Sequence, residues 1–157
     1  MKKITFLVTL MFVVTLASFA QSNKEEIEFF QSVFGMEKKA IVEEFVKVDG
    51  EAKTAFWNLY DQYETERKAQ GQKRIALLNK YAENYLSLDD ATTEEIMNEM
   101  IALGKEYDKI IQKYYKSIKK SCGIKPAAQF FQIEAYFQSA IRKTIFENIP
   151  LIGELEK

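Results

Sequence analysis

The sequence contains no histidine and a single cysteine, Cys122. Without an imidazole there is no Ser–His or Cys–His catalytic pair, and zinc, haem and di-iron sites that need histidine ligands are excluded. One thiolate cannot build a zinc site, and no Asp-x-Asp-x-Asp-Gly loop predicts bound calcium. We therefore expect a protein that is not an enzyme and that has no cofactor, no metal ion and no internal disulfide. Cys122 either links two chains or lies buried as an inert thiol.

Long apolar runs are also absent, except in the first twenty residues. There, two lysines precede an apolar run over residues 4–16, and Ser18 and Ala20 place small side chains where a signal peptidase reads them. This pattern predicts a signal peptide cleaved after Ala20. The run is shorter than the ~20 residues that a transmembrane helix needs. We therefore expect no transmembrane segment and a periplasmic mature chain of residues 21–157.

The mature chain has no large excess of either charge. Without the two lysines of the leader, the 22 basic residues of the whole chain become 20, against 23 acidic residues, a net charge of about −3. This balance gives no reason to expect binding to nucleic acid or to an anionic membrane. The length of the mature chain fits a single domain with its own hydrophobic core, over residues 21–157.

No segment alternates apolar and polar residues for long enough to predict a β-strand, and helical periodicity covers nearly all of the mature chain. The expected fold class is all-α, with about four helices and long central ones. These helices form either a compact bundle or a curved helical-hairpin cradle. The first helix begins at a capping box of Ser22 and Glu25, has Gly35 as a candidate kink, and presents an apolar face that includes Ile41 and Phe45.

The second helix is predicted over about residues 51–85. Asp49 and Gly50 mark the break before it, and Asp49 is the expected N-cap. The middle of this helix, residues 66–74, is polar on every side apart from Ala69. We therefore expect the helix to leave the core or to bend there.

The third helix is predicted to start at a second capping box, formed by Thr92 and Glu95. A continuous apolar stripe follows at helical spacing. Gly123 is expected to end this helix in a left-handed conformation, and Pro126 suits the first turn of a fourth helix that runs to about residue 147.

The fourth helix carries more large apolar residues than one inward face can bury. Five of them share the face that we expect to be core: Phe130, Ile133, Phe137, Ile141 and Ile145. Three others lie to the sides of that face: Phe131, Tyr136 and Phe146. Either this helix is covered on several sides, or these three residues contact a second copy of the chain or a client protein.

Lysines are concentrated in the second half of the third helix, on the side opposite its apolar stripe. Lys109, Lys113 and Lys116 belong to this basic ribbon. Two interpretations remain open: a solvated face that suits the negative end of the helix dipole, or a surface that captures acidic segments of a partner. The ribbon does not have the pattern of a nucleic-acid interface.

Two segments carry a family resemblance: AFWNLYDQYETERKAQGQKRIALLNKYAENY, residues 55–85, and AAQFFQIEAYFQSAIRKTIFENIPL, residues 127–151. They resemble secreted bacterial all-helical proteins related to the Spy/CpxP-like periplasmic family. The Leu-Thr-x-x-Gln pattern of that family is not kept, because the chain has VDGEA at residues 48–52 and IKPAA at residues 124–128. The resemblance implies a four-helix, often dimeric cradle that holds unfolded proteins without ATP or reports envelope stress.

We accordingly expect an ATP-independent chaperone-like or envelope-stress-associated binding protein. Its partners would be unfolded or partner proteins of the envelope, and a homodimer is one of the expected states. Client contact is expected at three aromatic and three basic residues: Phe131, Tyr136, Phe146, Lys109, Lys113 and Lys116. The alternatives are a structural or regulatory interaction module without client binding, and a carrier of a small hydrophobic ligand.

Overall fold

The structure is a computed structural model that describes the backbone of residues 24–154 and the side chains of residues 35–154. The predicted signal peptide, its cleavage site and the Ser22 cap lie outside the described residues. Over the described range the chain forms four α-helices, one short 3₁₀ turn and no strand, which confirms the all-α fold class. The helices are α1 (Lys24–Phe45), α2 (Glu51–Asn84), α3 (Asp90–Cys122) and α4 (Ile124–Asn148), and the 3₁₀ turn Tyr85–Ser87 follows α2.

The chain divides into two compact units. One unit combines the residues up to Val46 with those from Gln132 onward, and the other runs from Lys47 to Phe131. Helix α4 therefore contributes its first two turns to the second unit and its remainder to the first. None of the described helices is long and apolar enough to cross a membrane.

In the first unit, the buried side of α1 includes a lysine. Lys38 and Val42 are buried, and so is Val46 just past the helix end, whereas Phe45 is exposed. The three buried residues are spaced by four, so they follow one side of the helical path. Phe45 was expected on the buried face; it lies only about 20° from Lys38 around the helix, but it is the last residue of α1 and is exposed. Helix α1 continues without a break through Gly35.

The second unit is built on the hairpin of α2 and α3. Its buried side chains are mainly aromatic on α2 and mixed on α3: Phe56, Tyr60, Tyr63, Leu77, Tyr81, Ile96, Tyr107, Ile111, Tyr114 and Ile118. Phe130 from the start of α4 is also fully buried and meets Tyr63 edge-to-face, with ring centroids 5.0 Å apart. Such perpendicular aromatic contacts are favourable beyond the area that they bury.

The ends of the helices were predicted better than their caps. Gly50, at φ 58°, takes the N-cap position of α2, and no side chain caps that end, so the assignment to Asp49 was wrong. Asp89 caps α3 by accepting a 2.7 Å hydrogen bond from the backbone N–H of Thr92, so α3 starts before the predicted capping box. Gly123, at φ 93°, ends α3 as predicted, and its N–H donates to the carbonyl of Lys119.

Helix α2 runs unbroken through its polar middle, and its buried residues stop at Tyr63 and resume at Leu77, so this segment departs from the core as expected. Ala69, the one apolar residue there, is exposed. Arg67 and Glu64 are largely buried side chains that bind each other through two hydrogen bonds of 2.8 and 2.9 Å. This pair lies where the buried apolar residues of α2 stop, and hydrophobic periodicity does not reveal it.

Candidate functional site

The side of α4 that turns away from the core carries the three predicted aromatic contact residues. Phe131 is 39% exposed, Tyr136 40% and Phe146 59%, whereas the neighbouring core residue Phe130 is fully buried. An exposed aromatic ring is costly in water and gains free energy when a partner covers it. We call these three residues the outward aromatics of α4.

The outward aromatics are not one contiguous cluster. Phe131 belongs to the second unit and packs edge-to-face on Tyr115 of α3, with ring centroids 5.9 Å apart. Tyr136 and Phe146 belong to the first unit, where ten helical residues separate them by about 15 Å along the axis and about 80° around it. Phe146 is the most exposed of the three. Phe131 is partly covered by its contact with Tyr115 in its own unit.

Arg142 was not among the predicted site residues, although it lies one turn before Phe146 on the same side of α4. Its side chain is exposed and makes no ion pair with any residue in the described part of the chain. An arginine beside an aromatic ring can hold a carboxylate while the ring covers apolar surface. The i, i+4 spacing of Arg142 and Phe146 in the sequence was the signal for this pair.

The predicted lysines of α3 are all exposed, but they differ in their contacts. Lys113 binds the carboxylate of Glu66 on α2, and its ammonium lies 4.9 Å from the centre of the Tyr114 ring. Lys109 and Lys116 have no ion pair with a described residue. Of the three, Lys109 and Lys116 are thus available to a partner, whereas Lys113 is used between α2 and α3.

Glu66 is the centre of a small polar network on the α2–α3 hairpin. Its carboxylate accepts hydrogen bonds from Lys113 and, at 2.8 Å, from the phenol of Tyr114. The hydrogen bond from Lys113 is the main reason that the pKa of the Glu66 carboxyl is lowered, while partial burial opposes it. Burial, followed by the hydrogen bond to Glu66, raises the pKa of Tyr114.

Glu66–Lys113 is one of three ion pairs that repeat along the hairpin. Lys73 binds Glu106 at 2.9 Å, and Lys80 binds Glu99 at 2.7 Å and also Glu95 at 2.8 Å. The partners advance by seven residues along α2 and retreat by seven along α3, which is an antiparallel heptad register. We call the pairs 66–113, 73–106 and 80–99 the heptad ladder.

The members of the heptad ladder are mostly exposed, so each pair adds little to stability. The ladder favours one heptad register of α2 against α3, since a shift by seven residues would place Glu66 opposite Glu106 or Lys73 opposite Lys113. The sequence contained this signal as complementary charges at seven-residue spacing in the two helices. It was missed because the lysines of α3 were considered as a ribbon by themselves.

The first unit contains an ion pair of a different kind. The ammonium of Lys38 lies 2.7 Å from the carboxylate of Glu134, and each side chain is 1% exposed. The same ammonium lies 5.4 Å from the centre of the Phe137 ring, at a distance that permits a cation–π contact. No sequence pattern pointed to this pair, because the two residues are almost a hundred positions apart.

Cys122 is partly buried at the end of α3, where its thiol lies 3.5 Å from the carbonyl oxygen of Ala52. Burial raises the pKa of this thiol, which disfavours the reactive thiolate. These features agree with the inert-thiol interpretation of the sequence. Within the described residues, no group of Cys, Asp and Glu side chains could hold a metal ion.

No protein-family model matches the chain, and comparisons with curated proteins and with solved structures find no match either. The surface features of this chain that bear on function are the outward aromatics of α4, Arg142 beside Phe146, and the exposed lysines Lys109 and Lys116 of α3.

Proposed function

We propose that the protein is a secreted, periplasmic binding protein that holds unfolded envelope proteins without ATP and performs no chemical step. The observation that carries this proposal is the exposure of Phe131, Tyr136 and Phe146 on a helix whose other aromatic residues are buried. The Spy/CpxP-like resemblance and the predicted signal peptide support the same assignment.

The proposed mechanism is reversible contact. Phe146 and Tyr136 cover separate apolar segments of the client, and Arg142 binds a carboxylate next to Phe146. Lys109 and Lys116 attract acidic segments over a longer range, because exposed charges steer a partner more than they hold it. Several weak contacts spread over a helix suit clients without a fixed shape, since each contact can be released separately.

The test is suppression of client aggregation, followed by light scattering without ATP, with albumin as the inert control. We expect suppression at up to equimolar protein, and loss of most of it in the triple variant Phe131→Ser, Tyr136→Ser, Phe146→Ser. The matched control variant is Met36→Ser, Leu86→Ser, which removes two equally or more exposed apolar side chains elsewhere. Equal suppression by both variants would contradict the proposal.

A separate variant tests how much the exposed lysines of α3 contribute to client binding. Lys116→Glu reverses an exposed lysine without touching the heptad ladder, and Lys109→Glu adds a second reversal whose charge also acts on Glu106 of the ladder. We expect weaker suppression for an acidic client and little change for a basic one. An identical loss of suppression for both clients would rule out electrostatic steering by these lysines. Lys113 is left unchanged because its substitution would disturb the ion pair with Glu66.

A second candidate function is a structural or regulatory interaction module with one dedicated partner. It is favoured by the fact that Phe131 packs on Tyr115 and Lys113 binds Glu66, so part of the expected client surface is used internally. Cross-linking in the envelope followed by pull-down distinguishes the two. One enriched partner in stoichiometric amount favours the module, whereas many partners in small amounts favour client binding.

A further inference from the structure

The first half of α3 carries a second exposed surface, whose chemistry differs from that of the outward side of α4. Met97 and Met100 are each 38% exposed and Ile101 is 50% exposed. Asp90 and Glu94 lie earlier in the same helix. Successive spacings of four, three and four residues place Asp90, Glu94, Met97 and Ile101 along one side of it. We call these residues, with Met100 beside them, the acidic apolar stripe.

This stripe is not the core side of α3. Ile96, one residue before Met97, is 1% exposed, and the buried series continues through Tyr107 and Ile111. The helix thus buries one side and leaves three large apolar side chains exposed on the adjoining side. A contiguous apolar surface with a polar rim marks an interaction site more often than a solvated face.

The charge around the stripe has one sign. Between Asp90 and Gly104, α3 contains four carboxylates and no lysine or arginine. Glu95 and Glu99 are both bound to Lys80, whereas Asp90 and Glu94 make no ion pair with a described residue. The exposed carboxylates nearest to Met97 are therefore left uncompensated within this part of the chain.

We propose that the acidic apolar stripe binds a basic amphipathic helix of a partner protein. Apolar anchors at helical spacing suit the apolar side of such a helix, and methionine side chains adapt to anchors of different shapes. Asp90 and Glu94 attract the lysines or arginines that flank those anchors. The same carboxylates disfavour an anionic membrane, and they repel the stripe of a second copy lying directly against it.

This inference does not depend on client binding by α4. The outward side of α4 and the lysines of α3 select acidic and apolar segments, whereas the stripe selects basic and apolar ones. Helix α3 is therefore divided into an acidic half and a basic half with different partners.

The experiment uses a fluorescent 18-residue peptide of leucine and lysine arranged as an amphipathic helix. Its comparator has glutamate in place of lysine. Anisotropy titration is expected to show binding of the lysine peptide only, with an affinity that falls as salt is raised. The variant Met97→Gln, Ile101→Gln is expected to weaken binding by at least about tenfold, because two apolar contacts are lost.

Two controls make the result specific. Ile124→Gln removes an equally exposed isoleucine at the start of α4 and is expected to leave the affinity unchanged.

Glu94→Lys is expected to weaken binding roughly fivefold, whereas Glu44→Lys, the same charge change on α1, has a much smaller effect. Equal binding of both peptides, or equal effects of Glu94→Lys and Glu44→Lys, would overturn the proposal. Self-association that Met97→Gln, Ile101→Gln abolishes would also overturn it, in favour of a second copy of the chain.

Discussion

Lys38 and Glu134 form an ion pair in which both side chains are almost completely buried, with 2.7 Å between the ammonium nitrogen and a carboxylate oxygen. Removing two charges from water is expensive, and the attraction between them offsets that cost only while both are present. The pair therefore favours one pairing of α1 with α4 within the first unit, because any other pairing leaves a buried charge without its counterpart.

The first prediction concerns the stability of this pair. Lys38→Met or Glu134→Leu alone is expected to lower the free energy of unfolding by about 3–5 kcal/mol, since the remaining buried charge loses the opposite charge 2.7 Å away. The double variant is expected to be much closer to the wild type than the sum of the single losses. Urea denaturation of the four proteins provides the measurement, and additive losses would show that the two charges act separately.

Phe130 and Phe131 are adjacent in sequence but have opposite environments. Phe130 is fully buried among aromatic rings, whereas Phe131 is 39% exposed. We predict that Phe130→Ala lowers the free energy of unfolding by about 3–5 kcal/mol and that Phe131→Ala lowers it by about 1 kcal/mol or less. Thermal or urea unfolding of the two variants checks this, and similar losses would contradict the assignment of Phe131 to the surface.

Glu66 gives the expected dependence of stability on pH. Its hydrogen bond from Lys113 lowers the pKa of the carboxyl below the ordinary value of 4.5, so the folded state binds this proton less readily than the unfolded state. The contribution of the pair is thus fully present above pH 4.5 and is lost as the pH falls through the lowered pKa. We predict that Glu66→Gln is less stable than the wild type near neutral pH and that the difference shrinks in acid. A constant difference across this range would show that the carboxylate charge is irrelevant.

Cys122 is predicted to react slowly. Burial raises the pKa of its thiol, so less thiolate is present at neutral pH than in an unstructured peptide. Labelling with a disulfide reagent at pH 7.5 is expected to be slower than for free cysteine and to accelerate in denaturant. Immediate labelling of the folded protein, or a disulfide-linked dimer on a non-reducing gel, would contradict the inert-thiol interpretation.

The sequence predicted the secondary structure because local chemistry determines it. Gly123 ends α3 at a positive φ, and the break near Gly50 separates the first two helices, as expected from the backbone freedom of glycine. The N-caps were harder to assign because Asp89 and Thr92 are both good capping residues, and only the path of the chain decides between them.

Long-range polar pairing was the main feature that the sequence did not reveal. Helical periodicity assigns lysine and glutamate to the solvent, so it could not place Lys38 and Glu134 in the interior. Hydrophobicity alone also did not predict which residues of an apolar face are buried. Phe45 was expected to be buried, whereas it is exposed. The exposure of Phe131, Tyr136 and Phe146 matches one of the two alternatives that the sequence left open, since one helical face cannot hold all the aromatic residues of α4.

The most direct test of client binding is site-specific photo-cross-linking from α4. A photoreactive phenylalanine analogue replaces Phe146, and the same analogue replaces Tyr85, a half-buried aromatic residue of the other unit, for comparison. Each protein is illuminated with a permanently unfolded client and with its folded counterpart. The proposal predicts a strong adduct from position 146 with the unfolded client only, reduced by Arg142→Glu. Equal adducts from positions 146 and 85, or no preference for the unfolded client, would contradict it.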